Sequence, residues 1–236
     1  MQSPRAGLLI AFDGIDSSGK ATQAHLLAER FRYLGKDVHE FTTPAYNPPS
    51  GQELKLWLQG KKGNWHALAW QEKAKMFAVN RAEKRERVVS ALGRGEIVIY
   101  DRYIPSSLAF MTIEGTTPQN ADFHRPEIHR AVEQLEYEEN SMPREVVSIF
   151  LDVPVHVSIA LLEKRKQYRK DADEYTDHVH VMERLYNEYD VMCTDDPKRY
   201  LRLKITTGTE LLAIDDVAEL VWEGLKERFG SAIIGK

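Results

Sequence analysis

Residues 8–23 read LLIAFDGIDSSGKATQ, and this stretch decides the fold. A short apolar run at 8–12 leads into a glycine-rich loop, and an amphipathic pattern follows from Lys20. The loop has the spacing G-x-x-x-x-G-K of a phosphate-binding loop, which joins a strand to a helix. A glycine turn without a ligand is the alternative, but it does not account for the strand, the helix and the lysine together.

The chemistry of such a loop follows from its small residues. They let successive backbone N–H groups point inward around phosphate oxygens. The N-terminus of the following helix adds a partial positive charge, and Lys20 adds a full one. The sequence therefore predicts a site for a phosphorylated small molecule at the start of the first helix.

The loop departs from the pattern at Ala21. A serine or threonine at this position supplies a hydroxyl ligand for Mg²⁺. Thr22 cannot substitute directly, because one step along a helix rotates a side chain by about 100°. Two interpretations stay open: Mg²⁺ is held by water, nucleotide phosphates and another carboxylate, or the chain is catalytically weak.

A second signal lies at the end of the apolar run 97–100, where Asp101, Arg102 and Tyr103 follow. Open α/β sheets bind ligands at the carboxyl ends of their strands. Arg102 has the planar donor set that suits a phosphate, and Asp101 is our candidate for holding Mg²⁺, directly or through water. The alternative is an ion pair at the end of a surface strand.

Elsewhere, short β-branched runs alternate with longer helical patterns, which is typical of a parallel α/β sheet. We expect strands at 8–12, 37–42, 97–100, 146–151 and 201–205, each buried on both faces. We expect helices at 20–34, 68–92, 126–140, 154–166, 179–192 and 215–229, with Pro126 in a first turn. The three prolines within 43–51 predict an irregular loop.

The composition excludes several classes of protein. Of the 236 residues, 32 are lysine or arginine and 36 are aspartate or glutamate, so no broadly basic surface for nucleic acid is expected. The single cysteine, Cys193, excludes an internal disulfide. No run of about 18 apolar residues predicts a membrane span, and the N-terminus has no signal-peptide core. We expect one cytoplasmic domain over residues 1–236, and no histidine spacing predicts structural zinc.

Five separated blocks resemble the thymidylate kinase family. They are FDGIDSSGKATQ at 12–23, SGQELKLWLQG at 50–60 after Pro44, FAVNR at 77–81, DRYIPSSLAF at 101–110 and FLDVP at 150–154. The resemblance implies a P-loop kinase fold, α/β, with a five-stranded parallel sheet flanked by helices and a mobile lid at about 165–178. It also implies transfer of the γ-phosphoryl group of ATP to dTMP, with Mg²⁺, in a homodimer.

The resemblance also implies roles for single residues. Phe77 would stack on thymine, and Arg81 would bind its carbonyl edge. Tyr103 would pack against the sugar and disfavour nucleotides with a 2′-hydroxyl. The residues implied for ATP are Gly14, Ile15, Asp16, Ser17, Ser18, Gly19, Lys20, Ala21 and Thr22. Those implied for dTMP are Asp16, Phe77, Arg81, Arg102, Tyr103, Ser107 and Tyr175. The catalytic set would be Asp16, Lys20 and Arg102, with Arg165 or Arg169 from the lid.

The sequence departs from the family in the lid and in the proline loop. Thr176 stands where the family has glutamate, and no arginine lies between Thr42 and Gly51, although Lys55 follows. Two other functions therefore stay open. One is a kinase for another pyrimidine nucleotide or nucleoside, and the other is a nucleotide-binding protein without turnover. A GTPase is disfavoured, because no Asn-Lys-x-Asp sequence is present.

Overall fold

The computed structural model describes residues 7–166, 179–208 and 210–230. Five parallel strands form its main sheet, in the order β2-β3-β1-β4-β5. They are β1 (Leu8–Asp13), β2 (Val38–Thr42), β3 (Ile97–Asp101), β4 (Val147–Asp152) and β5 (Tyr200–Lys204). The predicted α/β class and the five parallel strands are confirmed, with boundaries that differ by one residue or so.

Helices cover both faces of this sheet. They are α1 (Lys20–Tyr33), α2 (Pro49–Leu58), α3 (Trp70–Ala82), α4 (Arg85–Gly93), α5 (Ile104–Gly115), α6 (Ala121–Glu133), α7 (Val155–Lys166), α8 (Val179–Asp195) and α9 (Ile214–Phe229). A 3₁₀ turn (Trp65–Ala67), a π-helix (Gln134–Glu139) and a small antiparallel ribbon of β6 (Thr206–Thr207) and β7 (Glu210–Leu211) complete the described elements. None of the described helices is long and apolar enough to cross a membrane.

The core follows from the alternation of side chains along β1. Ile10 and Phe12 lie in one buried cluster with residues of α1 and α9. Leu9 and Ala11 belong to a second cluster on the other face, with residues of α4 and the start of α5. Because both faces of β1 are covered, the strand reads as a continuous apolar run.

The expectation that every strand is buried on both faces was wrong for the two edge strands. Only β1, β3 and β4 are buried along nearly their whole length, whereas β2 and β5 alternate between covered and exposed residues. Their position at the two edges of the sheet explains this, because an edge strand has a neighbour on one side only.

Two helix predictions and one loop boundary were wrong. The expected helix 68–92 is two helices, because the charged run from Arg81 to Arg87 offers no apolar side chain larger than alanine to hold a straight helix against the core. Pro126 lies inside α6, which begins five residues earlier. The expected loop 43–51 ends early, since Pro49 occupies the first turn of α2, where its missing N–H costs nothing.

The strand order brings two loops together. β1 lies between β3 and β4, and Phe12 of β1 is paired with Asp101 of β3. The loop after β1 and the residues after β3 therefore leave the sheet side by side. The sequence signals at 14–20 and 101–103 meet at this edge, as the strand-end rule requires.

The loop before α2 is held against α3. The backbone N–H of Ala45 donates to Asn80 Oδ1 at 2.8 Å, and Asn80 Nδ2 donates to the Ala45 carbonyl at 2.9 Å. Gly51 on α2 faces the same carbonyl, and a Cβ there would overlap it and lie 2.9 Å from Tyr46 Cα. Only glycine therefore lets this loop approach the helix so closely.

We predict that Gly51→Ala lowers the free energy of unfolding by about 1–3 kcal/mol, the cost of forcing an extra carbon into a packed site. Gly93→Ala at the end of α4 is the matched control, because nothing lies within 4 Å of its Cβ position. That control should be neutral or slightly stabilising, since alanine is the better helix former. Urea denaturation measures both, and equal midpoints would contradict the close approach.

Candidate active site

The loop after β1 has the backbone of a phosphate cradle. Gly14, Ser17 and Gly19 have φ values of 138°, 56° and 88°, which let the chain curl around its own N–H groups. Lys20 begins α1, and its Nζ donates to the Ile15 carbonyl at 2.7 Å. The lysine thus lies folded over the loop, at the positive end of the helix.

Lys20 is poised to bind negative charge. Burial, followed by the nearby positive charge of Arg102, lowers the pKa of Lys20 to about 8. Phosphate oxygens beside the ammonium group would oppose both causes and raise that pKa. A polyphosphate therefore stabilises the charged form of this lysine, and the charged lysine stabilises the polyphosphate.

A cavity of about 470 Å³ opens over the loop, and we call it the phosphate-loop cavity. Its lining is polar and includes backbone donors, two cations and two carboxylates. The lining residues are Asp16, Ser17, Gly19, Lys20, Ala21, Thr22, Asp101 and Arg102. Seven of these eight belong to the predicted ATP or metal sites, and the eighth, Arg102, was predicted to bind phosphate.

Mg²⁺ fits this cavity only with most of its ligands supplied from outside the protein. Asp101 Oδ1 is buried and has no hydrogen-bond partner among the described residues, so one carboxylate oxygen is free to bind a cation or its water. Asp16 is already paired with Arg102, and Ala21 offers no oxygen. Within the described residues no three acidic, histidine or cysteine side chains cluster as a metal site. This donor set suits an ion held mainly by phosphates and water.

A second cavity of about 540 Å³ lies beside the first, and we call it the Phe77 cavity. Most of its lining surface is apolar, and three charged residues, Asp16, Arg81 and Arg102, also line it. The lining residues are Asp16, Thr43, Pro44, Tyr46, Leu58, Phe77, Arg81, Arg102, Ser106, Ser107, Phe110 and Met111. An aromatic face, hydroxyls and two guanidinium groups in one pocket suit a base joined to a phosphate.

The two cavities meet at Arg102. Its guanidinium is ion-paired with Asp16, its Nη1 donates to the Gly14 carbonyl at 3.0 Å, and it lies 5.6 Å from the centre of the Phe110 ring. Burial alone would lower the pKa of Arg102, but the surrounding negative charges, Asp16 first, raise it above the ordinary value. Arg102 therefore stays charged where a group could pass from one cavity to the other.

Arg81 lines the Phe77 cavity but not the phosphate-loop cavity. It is buried and ion-paired with Glu136, and its Nη2 donates to Ser107 Oγ at 3.0 Å and to the Tyr103 carbonyl at 3.3 Å. Phe77 lies one helical turn before Arg81 on α3, with its ring 6.3 Å from that of Trp65. The predicted pair of Phe77 and Arg81 is thus brought together with Ser107.

Tyr103 is not placed on the cavity. Its ring is fully buried 4.6 Å from the ring of Tyr100, and its hydroxyl donates to the Pro143 carbonyl at 2.7 Å. The predicted contact between this ring and a sugar stays a prediction, one that this arrangement does not favour. Phe110 lines the cavity instead, and sequence reasoning missed it although it closes the DRYIPSSLAF block.

Several predicted residues belong to the lid segment at 165–178. Of these, Arg169, Tyr175 and Thr176 lie outside the described residues. Arg165 belongs to the last turn of α7, and its side chain is also outside them. The predicted lid at 165–178 and the choice between its two arginines therefore stay predictions.

The missing arginine of the proline loop has no direct replacement among the described contacts. Tyr46 lines the Phe77 cavity, and the ammonium group of Lys55 lies 5.9 Å from the centre of its ring. Lys55 itself is exposed on α2 and does not line the cavity.

The chain is similar to known proteins in both sequence and fold. The thymidylate kinase family model matches residues 12–212. A probable thymidylate kinase of Pyrococcus abyssi is 33% identical over 160 residues, covering 67% of this chain and 71% of that protein. The thymidylate kinase of Thermomicrobium roseum is 30% identical over 221 residues, covering 92% and 94%.

A solved structure matches the fold. The thymidylate kinase of Candida albicans superposes with a TM-score of 0.69 at 21% identity, over 94% of this chain and 92% of that one. The family match extends from Phe12 at the end of β1 to the segment before α9, so it includes both cavities and all the predicted site residues. The chain therefore belongs to the thymidylate kinase family, whose members are phosphotransferases that phosphorylate dTMP with ATP.

Proposed function

We propose that the phosphate-loop cavity takes the triphosphate of ATP and that the Phe77 cavity takes dTMP. The observation that carries this assignment is the junction of the two cavities, which share Asp16 and Arg102 and no other lining residue. A dTMP phosphate at that junction would face the γ-phosphate of ATP. Reaction between two bound phosphates needs such a meeting point.

In the proposed reaction an oxygen of the dTMP phosphate attacks the γ-phosphorus of ATP. The bond from that phosphorus to the β–γ bridging oxygen breaks, and ADP leaves with the electron pair. Catalysis of such a transfer is positioning and charge stabilisation rather than covalent chemistry. Lys20 and the loop N–H groups neutralise charge on the donor side, and Arg102 orients the acceptor phosphate.

Arg102 has to exchange partners during binding. In the structure it is paired with Asp16, and the side chains of Arg102 and Asp16 are 17% and 23% exposed. A phosphate offers the planar guanidinium a bidentate partner of higher charge. Asp16 would then be released toward the reacting groups, in keeping with the catalytic role that the family resemblance implies for it.

Base recognition rests on Phe77 and Arg81. Phe77 offers a stacking face, and Arg81 is a donor with no acceptor atom. A thymine carbonyl accepts from such a group, whereas the amino group of cytosine does not. Ser107 keeps one Arg81 nitrogen occupied, which limits the directions in which the rest of the guanidinium can donate.

Three further parts of the proposal rest on the family resemblance. Mg²⁺, when bound, would neutralise phosphate charge, with Asp101 holding it directly or through water. A lid arginine, Arg165 or Arg169, would add charge in the transition state. We also propose a single cytoplasmic domain that acts as a homodimer.

We predict that Lys20→Ala lowers kcat by on the order of a hundredfold, comparable to the loss of one electrostatic group. Its melting temperature without ligand should hardly change, because the substitution removes a buried charge rather than a core contact. ADP release in a coupled assay measures the rate. Lys198→Ala, an exposed lysine before β5, is the control and should keep full activity. A near-normal kcat for Lys20→Ala would remove the phosphate-site assignment.

We predict that Ala21→Ser tightens the apparent affinity for Mg²⁺, because it restores the hydroxyl ligand. The measurement is kcat as a function of free Mg²⁺ at fixed ATP. Ala21→Cys is the matched control, since a thiol of similar size is a poor ligand for this hard cation. Unchanged Mg²⁺ dependence in both variants, or robust turnover in excess EDTA, would contradict the proposed metal chemistry.

We predict that Phe77→Ala weakens dTMP binding by about 5- to 150-fold, since loss of one stacked base contact costs about 1–3 kcal/mol. ATP binding should stay nearly unchanged, because Phe77 does not line the phosphate-loop cavity. Phe123→Ala, an exposed ring on α6, is the control.

The same assays rank the acceptors. We expect kcat/KM for dTMP to exceed that for dUMP, and both to be well above dCMP and UMP. A best rate with dCMP or UMP would leave the fold and family intact and would refute the acceptor assignment.

A further inference from the structure

Glu136 is a buried carboxylate that the proposed mechanism does not use. It is 1% exposed, as is its partner Arg81, and the two form an ion pair at the Phe77 cavity, which Arg81 lines. Val132, one turn earlier, is also buried, whereas Gln134 and Glu138 are exposed. Glu136 therefore occupies an inward position where helix periodicity calls for an apolar side chain.

The backbone around Glu136 is unusual as well. It belongs to the π-helix that continues α6, in which the N–H of Asn140 donates to the Leu135 carbonyl at 3.0 Å. The carbonyl of Glu136 accepts from the N–H of Met142 at 3.0 Å, which ties the end of this segment down. Single π-helical turns are rare and frequently occur at functional sites.

The hydrogen bonds of Arg81 show what Glu136 does locally. Glu136 binds Nη1, while Ser107 Oγ and the Tyr103 carbonyl bind Nη2. Arg81 Nε and Glu136 Oε2 have no hydrogen-bond partner among the described residues. The guanidinium is thus fixed in orientation by two of its nitrogens, while a donor and an acceptor remain for other use.

The charge of Glu136 also affects the orientation in which dTMP would bind in the cavity. The substrate carries a neutral base at one end and an anionic phosphate at the other. An uncompensated Arg81 would attract the phosphate as strongly as Arg102 does, or more so in its drier setting. With Glu136 beside it, the Arg81 guanidinium brings no net charge to the cavity.

We propose that Glu136 is a positioning residue that sets acceptor specificity through Arg81. It cancels the charge of Arg81 and holds the guanidinium in one orientation, so that this end of the cavity accepts a neutral pyrimidine with a carbonyl edge. The proposal rests on the proposed function, since it assumes that the base lies at Arg81 and the phosphate at Arg102.

The test is Glu136→Gln, which keeps the shape and one acceptor but removes the charge. We expect KM for dTMP to rise at least about tenfold, with kcat at saturating dTMP changed less than about threefold. The ratio of kcat/KM for dTMP over dCMP should also fall. Glu133→Gln is the control, because it removes an ion pair with Arg199 at 2.6 Å from the same helix without touching Arg81. That variant should keep the wild-type ratio.

A double-mutant comparison separates this role from a general structural one. Glu136→Gln is added to Arg81→Gln, and the double variant should match the Arg81 single variant within about twofold in KM. Independent, multiplicative losses, or equal losses of rate with all acceptors, would overturn the proposal. So would a wild-type KM and acceptor ratio in Glu136→Gln.

Two further outcomes are distinguishable. If Glu136→Gln does not fold, Ser107→Ala is the deciding variant, because it removes the hydrogen bond that holds Arg81 Nη2. We expect it to raise KM for dTMP and to lower the ratio of kcat/KM for dTMP over dCMP. No change in either quantity would overturn the proposal. If the wild-type protein prefers dCMP or UMP, the acceptor assignment fails and this inference fails with it. A wild-type preference for dTMP with an unaffected Glu136→Gln overturns the inference alone.

Discussion

The site depends on the hydrogen bonds that the buried carboxylate of Asp13 accepts. Asp13 is 1% exposed at the end of β1, and its Oδ1 accepts from the Tyr103 N–H at 3.1 Å and from the Ser106 hydroxyl. Its Oδ2 accepts from Ser148 Oγ on β4 at 2.7 Å. Because a buried carboxylate is costly without such donors, these bonds fix the ends of β1, β3 and β4 relative to one another. Ser106 extends the connection to Tyr189 of α8, 3.0 Å away.

This constraint explains how Arg102 reaches both cavities. Arg102 has a φ of 64°, a conformation that non-glycine residues adopt only when their surroundings impose it. Its own N–H donates to the Phe12 carbonyl at 2.9 Å, and the next N–H donates to Asp13. The backbone is therefore held on both sides of the strained residue. The side chain then lies across the phosphate loop, where it meets Gly14 and Asp16.

The sequence predicted the local parts of this site and missed those that depend on distant contacts. The loop at 14–20 was found because its spacing is local and chemically specific. α5 was not predicted, because nine of its twelve residues are buried and an all-round apolar helix shows no periodicity. Because α5 was not predicted, Phe110 was missed, although it lines the cavity nearly two turns after the helix begins. Tyr103, which was predicted to contact the sugar, precedes the helix and lies in the core. Glu136 pairs with a residue 55 positions away, which no spacing rule reveals.

Arg81 and Arg102 both line the Phe77 cavity, and their ion pairs differ in burial. This difference bears on the orientation in which a nucleotide would bind. Arg102 and Asp16 are half-buried, so water can solvate each partner while a phosphate takes the place of the other. Arg81 and Glu136 are each 1% exposed, so separating them would leave a charge in a dry environment at a cost of several kcal/mol. We therefore expect the pair of Arg102 and Asp16, and not the pair of Arg81 and Glu136, to exchange partners when substrate binds. This difference supports the proposed assignment, in which the anionic phosphate of dTMP lies at Arg102, beside the phosphate loop, and the neutral base lies at Phe77 and Arg81.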